Sequence, residues 1–127
     1  PELKGVLTGN AIRVPTPNVS LAVLVLNLKE DVTKEDLNEF LKTSAFTSNY
    51  RQIIGYTNSP EAVSTDFYSS PFATIIDSQA TIAEGSQVTL YCWYDNEFGY
   101  SKQVLNLTKK IAKIELPRFP LAIDTSV

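Results

Sequence analysis

The sequence has 127 residues, 43% of them hydrophobic and 20% charged, which is typical of a single globular domain. Its net charge of −3 disfavours nucleic-acid binding, which needs a basic face, and no apolar run approaches the roughly 20 residues of a membrane-spanning helix. One cysteine excludes an internal disulfide, and the absence of histidine removes the commonest general base and metal ligand, so no metal site is expected.

Two strands are predicted in the N-terminal part of the chain. The segment Asn10–Asn18 opens as a short strand and then reaches Pro15 and Pro17, which end any hydrogen-bonded ladder. The next strand, Val19–Leu28, is aliphatic on both of its faces. Because a strand of this kind is usually buried on both sides, we expect it to be covered by other elements.

The first helix is predicted at Val32–Lys42. Thr33 is a good N-cap, and Asp36 follows three residues later, close to a capping box. The predicted apolar stripe of this helix consists of Leu37, Phe40 and Leu41.

The middle of the chain is predicted to contain short elements and then a hairpin. Tyr50–Thr57 and Glu61–Phe67 are interrupted by glycine, asparagine and proline, so we expect short strands or extended loops there. Phe72–Ala83 and Gln87–Asp95 are predicted strands, joined by a tight turn that contains Gly85.

A second helix is predicted at Gly99–Ile114, and Pro117 stops it. Its predicted apolar face consists of Val104, Leu107, Ile111 and Ile114. The whole pattern predicts an α+β fold, with a mixed, largely antiparallel sheet and helices on one face. Residues 1–116 are expected to form the domain, and residues 117–127 an extended tail.

Three places in the sequence could carry chemistry. Arg13, beside a proline-stiffened turn, suits bidentate binding of a phosphate or carboxylate, although a surface salt bridge would use the same residue type. At the strand-to-helix junction, Asp95–Glu97 could cap the helix, or the Asn96 amide could meet a ligand amide with Tyr100 stacked beside it. Cys92 lacks a histidine to activate it and is interpreted as a small buried side chain.

Two longer motifs carry a specific resemblance. The stretches LTGNAIRVPTPNVS, at residues 7–20, and WYDNEFGYS, at residues 93–101, resemble the C-terminal catalytic domain of the glyceraldehyde-3-phosphate dehydrogenase family. Shorter pieces at residues 1–9, 53–57 and 63–67 follow in the family's order and spacing, and the resemblance extends over about residues 1–114. It implies the same mixed, largely antiparallel sheet, with its second face at subunit contacts.

The resemblance also implies roles for individual residues. The family couples aldehyde oxidation to NAD reduction and phosphate addition in glycolysis. Arg13 matches an arginine that binds substrate phosphate or inorganic phosphate, Asn96 matches the asparagine that holds the nicotinamide carboxamide, and Tyr100 matches a tyrosine near the nicotinamide. The chain is therefore expected to be part of a longer parent enzyme, a cytoplasmic oxidoreductase that is a tetramer. This chain by itself is expected to form a dimer or larger oligomer.

The sequence also departs from the family pattern. The nucleophilic cysteine of the family lies in an SCTTN motif, which is absent here together with the activating histidine and the glycine-rich dinucleotide-binding domain. The chain is therefore expected to be a partial catalytic and oligomerisation domain that has no catalytic residue, does not bind NAD alone and is inactive alone. The alternatives are a fragment of erythrose-4-phosphate dehydrogenase and a non-enzymatic oligomerisation or regulatory module.

Overall fold

The computed structural model describes residues 3–114, which form one four-stranded sheet with two helices. The elements in chain order are β1 (Ser20–Asn27), α1 (Lys34–Thr47), β2 (Ile54–Thr57), a 3₁₀ helix (Ser64–Phe67), β3 (Thr74–Glu84), β4 (Gln87–Tyr94) and α2 (Phe98–Ile111). The strand order is β1-β4-β3-β2; β4 runs antiparallel to both β1 and β3, and β2 runs parallel to β3. The α+β fold with a mixed, largely antiparallel sheet is thus confirmed. The predicted tail, residues 117–127, lies outside the described residues.

Helix α1 begins as the sequence predicts. The Thr33 hydroxyl oxygen accepts a hydrogen bond from the backbone N–H of Asp36 at 3.1 Å. The helix continues to Thr47, five residues beyond the predicted end. Its buried stripe also differs from the prediction, because Phe40 is 67% exposed while Ala45, two turns after Leu37 and one after Leu41, is buried.

The hairpin between β3 and β4 is confirmed. Glu84 pairs with Gln87, and Gly85 occupies the turn with a φ of 59°, in the left-handed region that glycine adopts without steric cost. The preceding segment, predicted as extended at Glu61–Phe67, instead forms a 3₁₀ turn at its end.

The predicted strand at Asn10–Asn18 is wrong. Residues 7–19 contain no strand, and those at positions 3–17 are exposed. A strand needs a partner for its backbone groups, and β1 pairs with β4 alone within the described residues. Pro15 and Pro17 also lack the N–H that a ladder requires.

The predicted burial of the strand Val19–Leu28 on both faces is likewise wrong for this single chain. β1 is an edge strand of the described sheet, and Leu24 and Val25, which point to opposite faces, are 43% and 63% exposed. The predicted apolar face of α2 is exposed as well, from Val104 to Ile114.

No helix of the described part is long and apolar enough to cross a membrane.

The core has two clusters, one on each face of the sheet. On one face Ile76, Leu90 and Cys92 are buried, and Leu37 and Leu41 of α1 pack against them. On the other face, Val19, Phe67 and Ile75 are buried beside Phe72 and Trp93, and the Phe67 and Trp93 rings stack with centroids 5.4 Å apart. The second cluster lies beneath the loops that carry the candidate site.

Candidate functional site

The strand-to-helix junction is organised by the carboxylate of Asp95, which is 3% exposed. It directly follows β4, and its Oδ1 accepts hydrogen bonds from the backbone N–H groups of Glu97 at 3.0 Å and Phe98 at 2.9 Å. These N–H groups lie at the start of α2, where no backbone carbonyl is in place to accept them. Asp95 thus satisfies free amides at the helix start, as the motif predicts, although the N-cap residue itself is Glu97, whose side chain makes no capping bond.

The second oxygen of the same carboxylate holds two other parts of the chain. Asp95 Oδ2 accepts a hydrogen bond from the Asn18 side-chain amide at 3.2 Å and another from the backbone N–H of Ser69 at 2.9 Å. Asn18 is 77 residues away in sequence, just before β1, and Ser69 is 26 residues away, in the loop after the 3₁₀ helix. Three segments thus meet at one buried side chain.

These four donors lower the pKa of Asp95. The N–H of Phe98 contributes most, and the N–H groups of Ser69 and Glu97 and the amide of Asn18 act in the same direction, since each stabilises the charged form. Burial opposes them by disfavouring the charge. The net direction is downward, so Asp95 is a carboxylate at neutral pH and accepts all four bonds.

The two loops held by Asp95 adopt unusual backbone conformations. Val19 has a φ of 71° and Ser69 a φ of 59°, both in the left-handed region. For a β-branched residue such as Val19 this conformation is a genuine outlier, and it costs on the order of 1–3 kcal/mol. It persists because the Val19 side chain is buried against Phe67 and Ile75, and because the neighbouring Asn18 is bonded to Asp95.

A shallow depression of about 280 Å³ lies at this meeting point. It is lined by Asn18, Ser69, Asp95, Glu97, Phe98 and Ser101. A wider polar depression lies between α1 and the ends of β2 and β3, where Asn38 Nδ2 donates to the Ser78 carbonyl at 3.0 Å. Neither depression is lined by a residue that the sequence singled out as a ligand contact.

Those predicted residues lie on the surface of the described chain. Arg13 is exposed and makes no salt bridge with any residue of the described chain, so the surface salt bridge considered from the sequence is not formed there. Asn96 is exposed at the start of α2, and within residues 3–114 its side-chain amide makes no hydrogen bond. Tyr100, 70% exposed, follows one turn later.

The structure connects these side chains through their neighbours. Asn18, five residues after Arg13, is hydrogen bonded to Asp95, which directly precedes Asn96. The carboxyl-terminal end of the RVPTPN segment is therefore fastened to the residue before the candidate cofactor contact. The assigned roles of Arg13, Asn96 and Tyr100 remain predictions.

Cys92 is placed as the sequence indicates. It is 5% exposed, in the core cluster under α1, and burial raises the pKa of its thiol although a hydrogen bond with Thr74 acts in the opposite direction. A raised pKa disfavours the reactive thiolate. Within the described part of the chain, no group of three or more histidine, cysteine or acidic residues could hold a metal ion.

Sequence reasoning missed Asn18 and Ser69. Asn18 stands in a turn-forming sequence, but nothing in the pattern indicates a partner 77 residues away. Ser69 contributes through its backbone N–H, which every residue except proline carries. The sequence did contain one indication, which is Asp95 itself. An acidic residue that is buried at the end of an apolar strand needs hydrogen-bond donors around it, although the sequence does not show which residues supply them.

Comparisons with known proteins agree with the resemblance of the two motifs. A family model described as "Glyceraldehyde 3-phosphate dehydrogenase, C-terminal domain" matches residues 1–96. The chain is 52% identical over 120 residues to "Glyceraldehyde-3-phosphate dehydrogenase-like protein" of Pseudomonas aeruginosa, which covers 94% of this chain and 26% of that protein. It is 47% identical over 113 residues to "Glyceraldehyde-3-phosphate dehydrogenase 2" of Bacillus subtilis, covering 88% of this chain and 33% of that protein. It is also 43% identical over 114 residues to "Glyceraldehyde-3-phosphate dehydrogenase" of Zymomonas mobilis, which covers 89% of this chain and 34% of that protein. The chain thus spans about a quarter to a third of the length of these relatives.

Proposed function

Because this chain belongs to the glyceraldehyde-3-phosphate dehydrogenase family, we propose that it provides part of the catalytic domain of an NAD-dependent phosphorylating aldehyde dehydrogenase. The substrate in this proposal is glyceraldehyde 3-phosphate, with inorganic phosphate as the second reactant. The relatives' names support the reaction class.

Arg13 is proposed to bind the phosphate of the substrate or inorganic phosphate. Its exposed guanidinium offers a planar fork of donors that matches two phosphate oxygens, and no described acidic residue is paired with it. The two prolines that follow restrict the backbone of its segment, so the side chain is presented from a stiff stretch of chain.

Asn96 is proposed to hold the nicotinamide carboxamide, with Tyr100 beside it. A carboxamide ligand presents one hydrogen-bond acceptor and two donors, and the Asn96 side chain presents the same groups. Within the described residues the Asn96 amide makes no hydrogen bond, so these groups are available to a ligand. This donor set fits the cofactor. Bound NAD would supply the hydride acceptor, and the role of this chain is limited to binding and orientation.

The observation that carries the proposal is the Asn18–Asp95 hydrogen bond of 3.2 Å. It joins the segment that carries Arg13, the proposed phosphate contact, to the junction that carries Asn96, the proposed cofactor contact. An enzyme that transfers hydride and phosphate at one carbon atom needs both contacts in a fixed relation.

The chain by itself is proposed to be inactive and not to retain NAD. It contains no histidine to act as a base, and its one thiol is buried in the core. Other copies of the chain are its proposed partners, as a dimer or larger assembly, and the complete enzyme is proposed to be a cytoplasmic tetramer.

A second candidate function is a non-enzymatic oligomerisation or regulatory module. It is favoured by one comparison, since the Pseudomonas aeruginosa relative is named only as dehydrogenase-like. In that case Arg13 and Asn96 would contact no substrate or cofactor.

A graft separates the two candidates. The matching 113 residues of the Bacillus subtilis dehydrogenase would be replaced by this chain, and NAD- and phosphate-dependent oxidation of glyceraldehyde 3-phosphate would be measured. Activity that is lost on replacing Arg13 or Asn96 by alanine supports the proposed enzyme role. A folded graft that remains active in both variants would contradict it.

A further inference from the structure

We propose that Asp95 is a positioning residue, whose two carboxylate oxygens hold the Arg13 segment and the Asn96 junction in one fixed arrangement. The inference rests on the proposed function for the roles of Arg13 and Asn96, and on the structure alone for the arrangement. Asp95 itself is buried.

The two oxygens of the Asp95 carboxylate accept hydrogen bonds from different parts of the chain. Among the donors in residues 3–114, Oδ1 accepts from the start of α2 alone, at Glu97 and Phe98, and so orients the junction that carries Asn96. In the same part of the chain, Oδ2 accepts from Asn18 and Ser69 alone, which belong to separate loops. One side chain therefore sets the position of two loops relative to the helix start.

The restraint is carried from Asn18 towards Arg13 by a stiff stretch of backbone. Pro15 and Pro17 each fix one backbone dihedral angle, and the N–H of Thr16 donates to the Val14 carbonyl at 2.9 Å in a tight turn. The turn and the two prolines narrow the conformations open to residues 13–18, so we expect a shift of Asn18 to displace Arg13.

The strained backbone beside Asn18 supports a functional reason for this arrangement. Val19 could relax to an ordinary extended conformation at the start of β1, yet it is held at a φ of 71° by its burial and by the adjacent Asn18–Asp95 bond. Strain of this kind persists where the surrounding structure fixes it, and such positions cluster at functional sites. Ser69, the other loop donor, has a positive φ as well.

Only an acceptor-only side chain can make all four bonds. A carboxylate accepts on both oxygens, whereas an asparagine of the same shape accepts on one and places an NH₂ group on the other. In Asp95→Asn, the retained oxygen continues to cap α2. The NH₂ group then faces the donors of Asn18 and Ser69, so the loops are released while the cap is kept.

The test measures the distance between the two sites in the full 127-residue chain. Spin labels are attached at Arg13→Cys and Asn96→Cys in a Cys92→Ala background, and double electron–electron resonance gives the distance distribution. In samples diluted with unlabelled chain, so that only the distance within one copy is measured, we expect a single narrow peak with Asp95 present and loss of that peak in Asp95→Asn. An unchanged narrow peak in Asp95→Asn would overturn the proposal.

Asp77→Asn is the matched control. Asp77 is also a buried acid, at 7% exposure, and accepts from Trp93 Nε1 at 3.1 Å and from the N–H of Ala80 at 3.2 Å, but it makes no hydrogen bond to either loop within residues 3–114. A loss of stability alone should therefore leave the narrow peak in place. Equal broadening in Asp77→Asn would assign the effect to general loosening of the fold and overturn the proposal.

Two further variants keep the test informative if Asp95→Asn does not fold. Asn18→Ala removes one donor and leaves the α2 cap intact, so it should broaden the distribution without unfolding the chain. The exchanged pair Asn18→Asp with Asp95→Asn restores an amide–carboxylate bond in reverse and should narrow the distribution again. A narrow peak in Asn18→Ala would overturn the proposal that the Asn18–Asp95 bond fixes the Arg13 segment.

This experiment measures a distance and no activity, so the proposed function can fail separately. It would fail if the graft with Arg13→Ala kept an unchanged phosphate dependence.

Discussion

Gly99 and the carbonyl oxygen of Phe72 lie so close together that a methyl group on the Gly99 Cα would come within 2.5 Å of that oxygen. Gly99 is the second residue of α2 and the only buried residue of that helix. The contact is reinforced one turn later, where Gln103 Nε2 donates to the Pro71 carbonyl at 3.2 Å. The N-terminal end of α2 is thus docked on the loop before β3.

We expect Gly99→Ala to destabilise the chain by about 1–3 kcal/mol, because the added methyl group must displace backbone. An exposed helix position would give the opposite sign, since alanine is favoured over glycine by up to about 1 kcal/mol in a helix. Denaturant unfolding measures the difference. Gly9→Ala is the control, as nothing lies within 4 Å of the added methyl there. A gain in stability for Gly99→Ala would show that α2 does not dock against Phe72.

The sequence predicts correctly those features of the fold that depend on neighbouring residues, and it fails where distant parts of the chain decide. Thr33 and Asp36 mark the start of α1, and Gly85 marks the β3–β4 turn, because caps and tight turns are decided by a few neighbouring residues. The strand expected at Asn10–Asn18 fails because strand formation requires a partner supplied by distant chain.

The candidate site shows the same limit. Helix capping by Asp95 is a local property and follows from the motif. Its bonds to Asn18 and Ser69 depend on how three separate segments are brought together by the sheet, so no local pattern contains them. The exposure of Phe40 was missed for a similar reason, since helix periodicity does not tell how wide a stripe the sheet covers.

Removal of the Asp95 charge should have a pH-dependent effect on stability. The folded state lowers the pKa of Asp95, so its charged form contributes stability above the ordinary carboxyl pKa of about 3.9 and loses that contribution as pH falls through the lower folded value. We expect the difference in unfolding free energy between the parent and Asp95→Asn to be largest near pH 7. It should shrink below about pH 4.

Urea unfolding at several pH values between neutrality and acid measures this difference, and the other carboxyl groups cancel because both proteins contain them. A difference that stays constant over the whole range would mean that the four hydrogen bonds do not favour the charged carboxylate.

Arg13→Ala should weaken phosphate-dependent steps in the Bacillus subtilis graft by about 1.5–3 kcal/mol, the range for hydrogen bonds to charged groups. The fold should survive, because the side chain is exposed. Steady-state kinetics at varied phosphate would give the effect. Lys4→Ala is the control, since it removes an exposed positive charge from the same N-terminal segment. If phosphate dependence is the same in both variants, Arg13 does not bind phosphate.

The chain alone should show no aldehyde oxidation with NAD, phosphate and glyceraldehyde 3-phosphate. Loss of a nucleophile and base that act as a unit typically costs on the order of a million-fold in rate. Cys92 cannot replace the nucleophile, because it is buried and its thiol pKa is raised. NADH formation followed by absorbance is the measurement. Turnover above the buffer level that survives Cys92→Ser would reveal a catalytic group elsewhere in the chain.

The exposed apolar strand β1 predicts self-association. On one of its faces Leu21, Val23 and Val25 are 39%, 50% and 63% exposed, and Tyr91 and Trp93 on the paired strand β4 continue the same face. An uncovered apolar patch above several hundred Å² is unusual on a soluble monomer, and a two-fold dimer is the simplest way to cover a face with a copy of itself.

Light scattering across a dilution series should therefore give a dimer or larger species that dissociates on dilution. Val25→Lys places a charge in the middle of the face and should shift the chain towards the monomer, because a charge buried at an interface centre without a partner is costly. Val6→Lys is the control, since Val6 is 68% exposed and lies outside the sheet. A parent chain that remains monomeric at micromolar concentration and binds no hydrophobic dye would mean that this face is not an interface between copies.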